Sequence, residues 1–174
     1  MARTLNAALP IAYVVLRILV VLNWLYGVAI LGLLTFTFVN EPWFMLAIKV
    51  PAGTEAGPIM TGLRWIAGLG LLAVPLNHVV LTRLLRMVQT VRAGDPFVAA
   101  NAYRLQTIAW MLLLLQLLSM VIGGIGDAIS SKEFPLHLDA GFSLSGWLAV
   151  ILTFVLARVF AEGALMREDL EGTV

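Results

Sequence analysis

Five side chains could do chemistry inside the long apolar stretches of this 174-residue chain: Asn23, Asn77, His78, Gln116 and Ser119. Polar groups in hydrocarbon are costly and face a bundle's interior, so aligned they would form a path for a proton or a polar substrate. The plainer chemistry is hydrogen bonding between helices, worth about 0.6–2 kcal/mol per bond. The set lacks a carboxylate, which proton- and cation-coupled transporters usually place inside. Its Asp and Glu residues read as belonging to loops and tails.

His78 and His137 are the only histidines and fall on opposite sides of a span, so they cannot share a metal ion. Without cysteine there are no thiolate metal sites, disulfides or thiol nucleophiles. Ser119 or Ser145 would need a base or lysine beside it to act as a nucleophile. Both lysines, Lys49 and Lys132, fall in loops. The residues therefore predict no catalytic residue, no cofactor and no metal: a non-enzymatic protein.

Polar chemistry concentrates instead at Ala93-Gly94-Asp95-Pro96-Phe97, flanked by Arg83, Arg86, Arg92, Asn101 and Arg104. Gly is favoured just past a helix end, Asp as an N-cap and Pro as the first helical residue. In that order they predict a tight helix–turn–helix hinge.

The elements that carry these residues follow from composition. The chain is 61% hydrophobic and 12% charged, against about 25% charged in soluble domains. A single membrane domain over 1–174 is predicted, with all-α spans at about 18–39, 61–81, 105–125 and 144–164, each long enough for the roughly 30 Å hydrocarbon core. The first run is too long for a signal peptide's apolar region and is read as a retained span. Gly27, Gly32, Gly68 and Gly70 read as close-packing points, Gly123-Gly124-Ile125-Gly126 as a span end and a site of close packing, and Pro75 as a bend.

Arginine sets the orientation. Arg3, Arg17, Arg83, Arg86, Arg92, Arg104, Arg158 and Arg167 share one side, and Lys49, Arg64 and Lys132 the other. The positive-inside rule then puts both termini and the hinge in the cytoplasm, with Trp43, Trp65 and Trp147 near the outer ends and Tyr13 and Tyr103 near the inner ends.

On the outer side, Phe44, Leu46, Ile48 and Val50 alternate with other residues, as do Phe134, Leu136 and Leu138. Period two predicts two strands forming a small β cap over the bundle's outer mouth. On the inner side, helix-favouring residues run past the second and third spans. They predict a helical hairpin over about 82–104 that projects as a stalk some 12–18 Å beyond the membrane. Glu168 and Asp169 in the C-terminal tail could pair with the hairpin arginines or with a basic partner.

Gly94-Asp95-Pro96-Phe97, Asn101 and Arg104-Leu105, followed by an apolar span, resemble the central pattern of a bacterial membrane family catalogued as domain of unknown function 2975. Phe160, Gly163, Leu165, Glu168, Asp169, Thr173 and Val174 resemble its C-terminal pattern. The resemblance implies a four-span inner-membrane protein, encoded beside a small helix-turn-helix transcriptional regulator and acting as its membrane partner or antagonist. It implies no catalytic residues.

The sequence thus predicts a regulatory four-helix bundle of the bacterial inner membrane. Its hinge and tail (Arg83, Arg86, Arg92, Asp95, Phe97, Asn101, Arg104, Glu168 and Asp169) would bind a soluble regulator, with no direct contact to nucleic acid. The alternative is a transporter or channel subunit, alone or as a homo-oligomer, using Asn23, Asn77, His78 and Gln116.

Overall fold

Each apolar stretch is one continuous helix. In hydrocarbon the backbone finds no water, and a helix satisfies its own N–H and C=O groups. Helix α1 spans Ala2–Val39, α3 Ala56–Arg92, α4 Ala99–Ile129 and α5 Leu144–Glu171, with a short α2 at Glu41–Ala47. The computed structural model describes residues 2–50, 56–131, 135, 136 and 138–171, and only the backbone of 2–8, 56, 170 and 171. The readings on Arg3's side chain, Pro51, Gly53, Lys132, Glu133, Phe134, His137, Thr173 and Val174 lie outside the described residues.

Four stretches are long and apolar enough to cross a membrane: Leu9–Val39, Gly57–Arg92, Ala99–Ile129 and Leu144–Asp169. At about 1.5 Å per residue each exceeds the roughly 30 Å hydrocarbon core, so the ends extend beyond it. Asp127 lies on α4 itself, near its end, and not in a loop.

The packing corrects the expected bundle. Helix α1 packs on α3, α3 on α4 and α4 on α5, but α1 and α5 make no substantial contact. The spans form an open row in chain order. Lipid tails are as apolar as leucine, so no hydrophobic penalty forces closure, and Leu22, Val28, Leu148 and Ile151 all face outward.

Two of the intramembrane polar residues stitch the α1–α3 seam. Asn23 Nδ2 donates to the Val74 carbonyl at 3.0 Å, and Trp24 Nε1 donates to His78 Nδ1 at 3.1 Å. Gly27 lets the helices close there, since a Cβ on it would lie 3.0 Å from Val74 Cγ1. Helix α3 runs unbroken through Pro75, and the carbonyl that Asn23 meets is that of Val74 beside it.

Of the other three, Gln116 and Ser119 hold a non-helical segment. Residues 138–143 lie along α4, where a Cβ on Gly123 would come 2.7 Å from Gly141 Cα and one on Gly126 would strike Leu138. Gly141 N donates to Ser119 Oγ at 3.2 Å, and Gln116 Nε2 donates to the Gly141 carbonyl at 3.4 Å. Backbone outside a helix must find partners elsewhere, and both polar groups of Gly141 find them on α4. The glycine cluster thus does not end α4, which continues to Ile129; its close packing is what the fold uses. Ser143 then starts α5 by accepting from Gly146 N at 3.1 Å.

The β cap is also corrected. Glu41–Ala47, which overlaps the first predicted strand, is helix α2. Asn40 caps it by accepting from Trp43 N at 3.3 Å, and Pro42 sits in its first turn. No strand occurs among the described residues. A two-stranded ribbon at the interface would leave its edges unpaired, whereas a capped helix satisfies its own backbone. The alternation misled because only Phe44 is buried while Leu46 is 81% exposed.

Candidate functional site

Helix α3 ends with two closing bonds: Gly94 N donates to the Val91 carbonyl and Asp95 N to the Thr90 carbonyl, both at 3.1 Å. This is a Schellman closure, and it needs a left-handed residue just past the helix. Gly94 supplies it at φ 86°, as the sequence predicts.

Asp95 and Pro96 depart from prediction. Helix α4 starts at Ala99 with Val98 as its N-cap, and no side chain caps it. The Asp95 backbone is committed to closing α3, and the proline after it disfavours a helical conformation at Asp95. Residues 95–98 therefore cross from α3 to α4 without helical structure.

What holds this crossing is Asn101, which is fully buried. Its Nδ2 donates to the Pro96 carbonyl at 2.9 Å and to Thr90 Oγ1 at 2.8 Å. Its Oδ1 accepts from Arg104 Nη1 at 2.7 Å, and the same Nη1 lies 3.5 Å from the Arg86 carbonyl. Asn101 is thus spent inside the hinge and faces no partner. Arg104 is half-buried beside it and acts through it. Thr90, the third member, escaped the sequence reading because nothing in its spacing marks it.

Helix α5 meets the hinge from the other side. Arg167 Nη1 pairs with Asp95 Oδ1, the reverse of the expected pairing of tail acids with hairpin arginines. Phe97 and Phe160 pack with ring centroids 5.3 Å apart, and a Cβ on Gly163 would lie 3.0 Å from Phe97 Cδ1. Phe160 and Gly163 therefore form the seat of Phe97. A cavity of about 460 Å³ opens between hinge and α5, with Phe97, Ala102, Ala161 and Leu165 as apolar walls and Asp95, Arg167 and Glu168 as charged ones. Asp169 follows on the same helix.

Three further arginines meet aromatic rings. Arg83 lies 5.9 Å from the Tyr103 ring centroid. Tyr13 of α1 is approached by both Arg92 at 5.3 Å and Arg17 at 5.2 Å, while Arg86 is exposed. Helix α1 thus accompanies α3 to its end, and α5 accompanies α4. The hairpin is buttressed on both sides and is no free-standing stalk.

At the opposite end lies a cluster the sequence reading missed. Arg64 Nη2 donates to Glu41 Oε2 and to the Thr37 carbonyl, both at 2.7 Å, and its guanidinium carbon lies 4.2 Å from the Phe38 ring centroid. The clamp ties α2 to α1 and α3. No spacing signal in the sequence links Arg64 to Glu41, 23 residues away.

Fold and site together define a multi-pass membrane protein with a charged, apolar-walled recess at the end of its central hairpin. The chain belongs to the family described as Protein of unknown function (DUF2975), which matches residues 47–174. That stretch includes α3, the hinge, α4 and α5; α1 precedes it. None of the curated proteins and none of the solved structures compared with the chain matches it.

Proposed function

We propose that this is a non-enzymatic membrane regulatory protein whose hinge and α5 end bind a soluble partner. The observation that carries this reading is the clasp between Asp95–Phe97 and Phe160–Arg167. Its ion pair is substantially exposed, with side chains 39% and 44% accessible, and such pairs are worth about 0–1 kcal/mol. A partner can therefore open the pair at small cost and reach the recess behind it. Phe97 and Leu165 offer apolar contact, Arg86 and Arg92 take carboxylates, and Asp95 and Glu168 take basic side chains.

The arginine-rich end sits in the cytoplasm of a bacterial inner membrane in this account, as the positive-inside rule favours. The partner is a small helix-turn-helix regulator, the class the family resemblance implies. Capture at the membrane would keep it from its operator. The transporter reading draws less support, because Asn23 and His78 are used in the α1–α3 seam and Gln116 in the α4–α5 seam.

Co-purification of the regulator encoded beside the gene, with full-length protein in detergent, tests the proposal. Wild type should retain it, and Arg86→Ala/Phe97→Ala should lose it at unchanged helicity. Equal recovery from both, or none from wild type, overturns the reading.

A further inference from the structure

Helices α1 and α4 both pack on α3 but make no substantial contact with each other. Between them lies a cavity of about 340 Å³ far from the hinge. Its α1 wall runs from Tyr26 to Thr37, its floor is the Leu63–Gly70 face of α3, and Ile122 of α4 closes the far side. Phe44 of α2 and Leu138 of the α4–α5 segment complete it.

The lining has almost no polar chemistry to offer. Its two polar side chains are those of Thr37 and Tyr26. Thr37 is 4% exposed; its hydroxyl donates to the Leu34 carbonyl at 2.6 Å and accepts from Arg64 Nε at 3.4 Å. Tyr26 is 64% exposed, so the α1 wall merges with the surface that the helix presents to lipid. An apolar cavity of this kind stays free of water and takes apolar ligands.

Shape narrows the ligand. Eleven residues of helix separate Tyr26 from Thr37, about 16 Å at 1.5 Å per residue. A helix of that length, about 10 Å across, would occupy roughly 1,200 Å³, so a cavity of about 340 Å³ takes a slender chain and not a second helix. The depth agrees: the Arg64–Glu41 ion pair and Trp43 and Trp65 mark the polar boundary at one end, and the cavity runs inward from there along the spans.

We propose that the groove between α1 and α4, floored by α3 and roofed by Phe44 and Leu138, binds one acyl chain of a bilayer lipid. Recognition is of the chain and not of the headgroup, since Arg64 Nη2 is already committed to Glu41 and Thr37. The bound chain fills the space that keeps α1 from α4, and it supports α2 from beneath.

Full-length protein in vesicles doped with a phospholipid carrying a photoactivatable diazirine in its acyl chain provides the test. After irradiation, label should concentrate on Ile30, Leu34 and Ile66 above the exposed α5 positions Leu152 and Val155. Phosphatidylcholine and phosphatidylglycerol probes should label these sites alike. Ala67→Phe should lower the cavity label severalfold while leaving the α5 label unchanged. Gly70→Val, whose added Cβ would meet only Ile30 Cδ1 at 3.6 Å, serves as the second filling variant should Ala67→Phe lower helicity. Uniform labelling, cavity label that persists in a folded filling variant, or label that depends on the headgroup would overturn the proposal.

Discussion

Asn101 joins three pieces of chain at the hinge: the last turn of α3, the crossing residues and the first turn of α4. An amide suits this place because it donates twice and accepts twice, which neither a carboxylate nor an alkyl group does. Removing it takes a partner from the Pro96 carbonyl and from Arg104, while Thr90 keeps its bond to the Met87 carbonyl. Asn101→Leu should therefore cost about 2–3 kcal/mol, at the upper end for buried unsatisfied partners, measured as lower thermal stability in detergent. An unchanged melting temperature would contradict the role. Lys49 makes a smaller case. It ends the α2 turn at φ 56°, where a side chain costs about 1 kcal/mol. Lys49→Gly should raise the melting temperature slightly. That polar residues gather at this turn was legible in the sequence; the hydrogen bonds of Asn101 and Arg104 within it were not. Spacing shows that polar residues cluster at a turn, but not which of them the turn consumes.

At the scale of elements, the spans and the Gly94 closure were legible because each follows from local physics: apolar length for the one, positive φ for the other. Failures came where a tertiary contact decided. Asp95 had the type of an N-cap but is drawn to Arg167 of α5, 72 residues away. The strand reading of residues 43–51 counted alternation and overlooked Asn40, Glu41 and Pro42, which spell a helix start. Glycines separate the local from the tertiary contribution. A Cβ at Gly123 would strike the backbone of Ala140 and Gly141, whereas one at Gly124 meets nothing within 4 Å. Gly123→Ala should thus displace the 138–143 segment and destabilise the protein, while Gly124→Ala should be neutral or stabilising by up to about 1 kcal/mol through helix propensity. Thermal unfolding of the two variants side by side checks this, and equal effects would show that the segment does not rest on α4.

For the whole molecule, the open row of helices means that each seam is independent. Variants in the α1–α3 seam, such as Asn23→Ala, should leave the clasp between hinge and α5 intact, which an unchanged yield of a short bis-maleimide crosslink between Val98→Cys and Ala164→Cys, both lining the recess, would report. A closed bundle would transmit the change. The row also leaves the hinge end supported by α1 on one side and α5 on the other, a platform facing one side of the membrane. The absence of native cysteine makes that platform directly readable. Ala93→Cys lies in the exposed turn, and Leu46→Cys lies on α2 at the opposite end. In membrane vesicles of known orientation, a membrane-impermeant maleimide should label Ala93→Cys from the cytoplasmic face only and Leu46→Cys from the other. Saturating helix-turn-helix regulator should slow labelling at Ala93→Cys severalfold and leave Leu46→Cys unchanged. Labelling of the hinge from the outer face, or a rate indifferent to the regulator, would contradict the account.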